Sequence, residues 1–154
     1  MHSTQENIYR VARKAAGFTR ESAAEHICTS VRSLADYETG KTIPGDDIVC
    51  MMAEVYKARW LGYMHLQQST ELGRKYLPEL HISELSRSVL RFQKEVGDLK
   101  YVNEDMIEIA CDGTVDQQEE ERWNHIAKEV HEIIGAAISL IFSKQEMKLG
   151  GVGH

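Results

Sequence analysis

The sequence predicts an all-α protein: five short helices over the first 66 residues, then two long helices folded as a hairpin. Three observations carry this. Apolar residues recur at spacings of three and four, and no stretch shows the period-2 alternation of a half-buried strand. N-cap residues and glycines punctuate the first 66 residues at short intervals. Proline occurs only at positions 44 and 78, which leaves long segments free of the residue that interrupts helices. The implied organisation is a domain over 1–66, a linker over 67–82, a helical hairpin over 83–148 and a flexible tail over 149–154.

The first helix spans about Glu6 to Ala16, with Ile8, Val11 and Ala15 on its inner face, and Gly17 ends it. Thr19 caps a second helix that runs to about Ile27. Ser30 caps a third, about Val31 to Tyr37, and Gly40 breaks the chain after it. Asp46 or Asp47 caps a fourth helix whose inner face is Ile48, Met52, Ala53 and Tyr56. A fifth, around Trp60 to Leu66, closes the bundle. The polar run Gln67-Gln68-Ser69-Thr70-Glu71, then Gly73 and Pro78, reads as a connector with room for one short helical piece.

Beyond it, Ile82, Leu85, Val89, Phe92, Val96, Leu99, Asn103 and Met106 alternate spacings of three and four, a heptad seam. Cys111-Asp112-Gly113 marks a turn. Thr114 and Gln117 have the spacing of a capping box, and Glu119, Glu120 and Glu121 suit the first turns of the next helix. That helix carries Trp123, Ile126 or Ala127, Val130, Ile133 or Ile134, Ala137, and Leu140 or Ile141. Two such helices present more apolar surface than they cover mutually. Pairing with a second copy is therefore expected, through Leu85, Val89, Phe92, Val96 and Leu99 on one helix. Trp123, Val130, Ile134, Ala137 and Ile141 supply the other.

Composition narrows the function classes. Charged residues are 27% and hydrophobic residues 42% of the chain, a globular profile. No apolar run approaches the roughly 20 residues of a membrane span, and the polar start Met1 to Glu6 is not a signal peptide. Cys28, Cys50 and Cys111 show no CxxC spacing, which fits reduced thiols in a cytoplasmic protein better than disulfides or a zinc site. The net charge is −6. Residues 1–66 hold eight basic and eight acidic residues, and 67–154 hold ten and sixteen. The acidity thus lies wholly in the second half, and a neutral first half can still bind phosphate if its cations share a face.

Helices two and three have the spacing of a unit that lays one helix across the DNA backbone and sets the next in the major groove. The crossing needs a small residue, Ala24. The turn needs another, Cys28, and the third helix needs one inward apolar residue, Leu34. From Gly17-Phe18-Thr19-Arg20-Glu21 through Glu38-Thr39-Gly40-Lys41-Thr42-Ile43-Pro44, this stretch resembles the lambda-repressor and Cro (XRE) family of helix-turn-helix domains. The polar pair Thr19-Arg20, Ala24, Ile27 and the Glu-x-Gly-x-x-x-Pro of Glu38, Gly40 and Pro44 stand in the family's order, and Met52-Ala53 and Tyr56 follow. The likeness covers about 60 of 154 residues. Three positions depart from it: Cys28 where the turn usually has glycine, Thr29 where an apolar residue follows, and Ala23 in place of leucine. Because a non-glycine turn residue resists left-handed backbone, the turn is expected to be slightly remodelled.

The resemblance implies a sequence-specific regulator, a dimeric repressor of phage or prophage type. It would act on a palindromic double-stranded operator in the bacterial cytoplasm, at the nucleoid. Thr19 and Arg20 would stand on the DNA face at the start of helix two, whose N-terminus favours an anion, with Arg20 contacting a phosphate or an adjacent base. Ser30 would bond a phosphate. Val31, Arg32 and Asp36 would face base edges, with Ser33 at the margin. Arg32 suits guanine O6 and N7, Val31 a thymine methyl, and Asp36 either cytosine N4 or the orientation of Arg32. Thr39 and Lys41 would contact phosphate.

No cofactor, metal or catalytic chemistry is implied. Glu121, His125, Glu129 and Glu132 share a helical sector, with Glu104, Asp105 and Glu108 on the other helix. Neither the Glu-x-x-His pair of a dinuclear site nor an HExxH or phosphate loop is present, and a solvated charged face is the better reading. Two other readings remain in view. One is an interaction protein, an antitoxin or adaptor whose helical half binds a protein partner. The other is an enzyme with a helix-turn-helix-like first domain, as in cyanate-degrading enzymes, whose catalytic half contains strands.

Overall fold

The computed structural model describes residues 7–146, with side chains placed for 7–143. The expectations for Met1 to Glu6 and for the tail 149–154 lie outside the described residues. All regular elements among the described residues are helices: α1 Ile8–Ala15, α2 Arg20–His26, α3 Val31–Glu38, α4 Asp46–Val55, α5 Trp60–Ser69, α6 Glu71–Tyr76, α7 Leu85–Ala110 and α8 Glu120–Glu146. The chain divides into two compact units, one ending at Leu77 and the other beginning at Pro78. Leu77 is extended (φ −88°, ψ 130°), as a residue before proline must be. The stretch 67–82 is helical from its start through Tyr76, interrupted only by Thr70, whose hydroxyl accepts from the Gly73 N–H at 2.8 Å as the α6 N-cap.

In the first unit the ends of the first four helices share one device. After α1, the Gly17 N–H reaches the Lys14 carbonyl and the Phe18 N–H the Arg13 carbonyl, the paired bonds of a Schellman cap with a left-handed residue at its centre. The same pair of bonds recurs after α2, α3 and α4, centred on Cys28, Gly40 and Lys57. Glycine occupies two of these centres; Cys28 (φ 53°) and Lys57 (φ 57°) adopt the left-handed conformation without it. The core is Ile8, Ala12, Ile27, Leu34, Val49, Met52, Tyr56 and Leu61.

Two expectations for this unit fail for polar reasons. The buried face of α1 is Ile8, Tyr9, Ala12 and Arg13, so Val11 is only half-buried and Ala15 is exposed. Tyr9 turns inward because its hydroxyl meets Nδ1 of buried His65 at 2.8 Å, while His65 Nε2 meets Asp46 Oδ1 at 3.1 Å. The carboxylate can only accept, so Nε2 carries a proton, and in the neutral ring Nδ1 then accepts from the Tyr9 hydroxyl. Burial pushes the Tyr9 phenol up. Asp46, expected as a cap, is instead the first residue of α4 behind the N-cap Gly45, and its side chain is directed to His65. Val49 replaces Ile48 and Ala53 on the fully buried face of that helix.

The second unit is a hairpin of α7 and α8. The turn has Gly113 at φ 76°. The capping box lies two residues beyond the expected Thr114/Gln117 pair. Asp116 Oδ1 accepts from the Gln118 and Glu119 N–H groups, and Glu119 Oε2 accepts from the Asp116 N–H. Thr114 instead donates its N–H to Asp112 Oδ1. The seam on α7 is also rotated from the expected one. Ser88, Glu95, Val102 and Ile109 are its buried residues, with Phe92, Leu99 and Met106 half-buried between them. That repeat keeps the expected Phe92, Leu99 and Met106 but replaces Val89, Val96 and Asn103 by the residue preceding each.

The apolar part of the core is Val102, Ile109 and Ile126, with Leu99, Met106 and Val130 against it. Toward the start of α7 the buried residues become small and polar: Ser88 there, and Ser139 and Ser143 on α8. The extended segment after Pro78 is tied to α8 by the His81 N–H, which donates to Ser139 Oγ at 3.1 Å. A Cβ at Gly135 would stand 3.2 Å from Pro78 Cβ, so glycine is what lets this segment approach. Glu95 is also not on a solvated face. It is buried, its carboxylate lies within 4.8 Å of those of Glu129 and Glu132, and Lys94 Nζ lies 3.4 Å from it and 2.8 Å from Asp98.

Candidate nucleic-acid interface

Helices α2 and α3 are built as a capped pair. Thr19 Oγ1 accepts from the Ser22 N–H at 3.1 Å, and Ser30 Oγ from the Ser33 N–H at 2.9 Å, so each helix starts on a satisfied donor. Ala23 and Ala24 are buried and Leu34 is fully so, which fixes the inner side of both helices. The turn between them is not remodelled to spare Cys28: the cysteine accepts the left-handed conformation (φ 53°). A Cβ there costs about 1–2 kcal/mol, part of which a glycine returns as extra freedom in the unfolded chain. Cys28→Gly is therefore expected to stabilise the protein by about 0.5–1 kcal/mol, read as a rise of a few degrees in the thermal midpoint. An unchanged or lower midpoint would show that the cysteine is not strained.

Behind this pair lies a cluster the sequence reading did not single out. Glu38, the last residue of α3, is buried with its side chain wholly inaccessible. Arg13 Nε donates to its Oε1 and Arg13 Nη2 to its Oε2 at 3.0 Å. Arg20 donates to Oε2 from Nε at 3.2 Å and from Nη2 at 3.0 Å. Arg13 Nη1 also donates to the Phe18 carbonyl at 2.7 Å. One carboxylate thus ties α1, α2 and α3 together. Burial pushes the Glu38 carboxyl up, but its hydrogen bonds and charge contacts with Arg13 and Arg20 outweigh this and hold it below the ordinary carboxylate range. Arg13 is held above its ordinary value chiefly by its hydrogen bond to Glu38. With two guanidiniums on one carboxylate the cluster keeps one positive charge, and it surfaces at Arg20, whose side chain is 37% exposed. A signal was available in the sequence: Arg13 follows Tyr9 by four residues and shares its face of the helix.

Tyr56 packs its ring against Phe18, with centroids 5.9 Å apart. Its buried hydroxyl has no hydrogen-bond partner. Burial, and then the Glu38 charge, push this phenol up to about 12. Tyr56→Phe removes an unsatisfied polar group without changing the ring. It is expected to leave stability unchanged or raise it by about 1 kcal/mol in chemical denaturation; a loss of that size would reveal a partner for the hydroxyl.

The nine residues expected to face DNA fall into three groups. Val31 and Arg32 are exposed in the first turn of α3; Arg32 points away from the side that carries Leu34 and Glu38, while Val31 shares that side at its open N-terminal end. Thr19, Ser30, Ser33 and Thr39 are engaged locally. Thr19 and Ser30 are caps, and the Ser30 and Ser33 hydroxyls meet at 2.8 Å. Thr39 gives its proton to the Ala35 carbonyl at 2.9 Å and the Asp36 carbonyl at 3.2 Å. Arg20, Asp36 and Lys41 are in ion pairs. Asp36 does not orient Arg32; it pairs with Lys41, Oδ1 to Nζ, at 3.4 Å. Residues 13–41 hold five basic and four acidic residues, so the unit as a whole is only slightly positive. Of its cations, Arg13 and Arg20 share Glu38 and Lys41 pairs with Asp36, which leaves Lys14 and Arg32 as the exposed cations outside ion pairs.

Residues 10–60 match a family model described as Helix-turn-helix, about a third of the chain and the part that contains α2, the turn and α3. No curated protein and no solved structure matches the chain. Among the described residues, no helix is long and apolar enough to cross a membrane.

Proposed function

Since residues 10–60 are a helix-turn-helix DNA-binding domain of the XRE/Cro type, a family that binds DNA without catalysis, we propose that the protein is a cytoplasmic, sequence-specific transcriptional repressor of phage type. It binds as a dimer to a palindromic operator. The observation that carries this is the state of α3. Its inner side is closed by Leu34 and the clamped Glu38, Arg32 is exposed on the outer side, and Val31 is left exposed beside it where the helix begins. An exposed valine beside an unpaired arginine at the N-terminal end of a groove-entering helix suits a thymine methyl next to a guanine.

In this reading Arg20, fixed in direction by Glu38, supplies the backbone contact at the start of α2. Lys41 supplies another after exchanging Asp36 for a phosphate. The first unit is the DNA-reading head and the hairpin the pairing element, with half-sites about 34–36 Å apart or a multiple of that. A head with so little net charge gains few counterion-release contacts; two heads on one duplex restore useful affinity. Selecting bound duplexes from a random library, with the mass of the complex measured, tests this directly. A palindromic enriched site holding two chains is the expected result; recovery of unenriched sequence would overturn it.

A further inference from the structure

We propose that the hairpin pairs with a second copy of itself through one flank, the side carrying Val89 and Val96 on α7 and Trp123, Ile134 and Ile141 on α8. The inference deepens the dimeric-regulator reading by naming the face, but its grounds lie within the hairpin.

The grounds begin with an inversion. On α7, Ser88 is 2% exposed and the next residue, Val89, is 39%; Glu95 is 7% exposed and Val96 is 38%. The seam takes the polar residue of each pair and leaves the valine in water. On α8, every residue from Ile133 to Phe142 is apolar or small except Ser139, yet Ile134 is 44% and Ile141 64% exposed. A helix apolar on all sides is stable in water only if covered on all sides.

Val89, Val96, Ile134 and Ile141 share one flank, while Leu90, Tyr101 and Ile107, also exposed on α7, lie off it. Val89 and Val96 each follow a buried seam residue, and Ile134 and Ile141 follow Ile133 and Leu140 in the same sense. In an antiparallel pair, positions that follow the seam fall on the same side of both helices. Each helix therefore carries its seam plus one adjoining column, the apolar face about three residues wide per heptad that marks a helix of a four-helix bundle rather than of an isolated pair.

Size and shape select the occupant. The stripe from Trp123 to Ile141 is about 27 Å long at 1.5 Å per residue, and two helices side by side are about 20 Å wide. That footprint of roughly 500 Å², raised by side-chain relief, approaches the roughly 800 Å² per partner of a stable interface. It calls for two long helices at the same separation, which an identical hairpin related by a two-fold axis supplies.

Light scattering on the full chain, from low to high micromolar concentration, tests this. The expected mass is twice the 17.5 kDa of one chain. Val96→Glu combined with Ile134→Glu is expected to halve the mass while circular dichroism stays helical. Tyr101 is 84% exposed but precedes the buried Val102 and so lies on the opposite flank; Tyr101→Glu is expected to leave the doubled mass intact. Wild-type protein of single mass at every concentration overturns the proposal, as does dissociation by Tyr101→Glu alone. Should the double variant unfold, hydroxyl-radical footprinting of the wild type decides: Ile134 and Ile141 protected and Tyr101 labelled supports the face, and equal labelling refutes it. None of these readouts involves DNA. A doubled mass with no enriched duplex would remove the regulator reading and leave this one standing.

Discussion

Glu38→Ala is expected to cost the first unit about 3–5 kcal/mol, the loss typical when one partner of a buried ion pair is removed and the other charge stays behind. The reason is geometric. Arg13 is buried at 8% exposure, and two of its three guanidinium nitrogens donate to Glu38. Without the carboxylate its charge must stay desolvated or be pulled out through α1. Domains of this size have only about 5–15 kcal/mol in total, so the unit should be close to unfolding at ordinary temperature. Arg20→Ala should cost much less, about 1 kcal/mol or below, because Arg20 is partly in water and leaves the Arg13–Glu38 pair intact. Hydrogen exchange in α1 and α3 localises the effect to this unit. Glu38→Ala within about 1 kcal/mol of wild type would mean that the cluster is not holding the helices together.

The same cluster sets a pH dependence with a definite sign. The folded-state pKa of Glu38 lies below its ordinary value of 4.5, so the folded unit binds the proton less tightly than the unfolded chain. Its contribution is complete above about 4.5 and is lost as pH falls through the lower folded value. Acid unfolding of the first unit is expected in that window. Glu38→Gln should flatten stability there while keeping an acceptor for one arginine.

How far the sequence disclosed this molecule follows from which residues talk to their neighbours in the chain. Helix starts at Thr19 and Ser30 and the ends at Gly17 and Gly40 are local decisions, the starts made by a hydroxyl and a backbone N–H three residues on and the ends by backbone bonds around a left-handed glycine, and all four are where the sequence places them. The failures involve partners distant in sequence. Asp46 looks like a cap until His65, nineteen positions on, takes its carboxylate. Arg13, absent from the inner face expected of the first helix, is buried by its pairing with Glu38, twenty-five positions on. On α7, hydrophobicity alone favours Val89 and Val96 for the seam. The hairpin seats Ser88 and Glu95 there instead and leaves the valines exposed. The positions expected to face DNA follow from the helix-turn-helix spacing alone. Their electrostatics do not, because pairing of Lys41 with Asp36 and of Arg20 with Glu38 depends on side-chain geometry.

That pairing is why Arg32 carries so much of the expected reading. Of the cations expected to face DNA, Arg20 and Lys41 are committed to Glu38 and Asp36, while Arg32 stands exposed at the second position of α3. A bidentate arginine–guanine contact contributes about 1–3 kcal/mol of discrimination, and on a two-fold operator the loss counts once per half-site. Arg32→Ala is therefore expected to lower operator affinity by about thirtyfold to ten-thousandfold, the equivalent of about 2–6 kcal/mol, bringing it toward that of scrambled duplex, with melting behaviour unchanged. Arg32→Lys keeps the charge but not the fork, so it should restore the salt dependence without the sequence preference. Lys41→Ala should weaken selected and scrambled duplexes alike, since it removes a phosphate contact and uncovers the Asp36 carboxylate. Fluorescence anisotropy on both duplexes at several salt concentrations separates these cases. Operator affinity unchanged in Arg32→Ala would mean that α3 is not the reading helix, however well its caps and buried face suit that role.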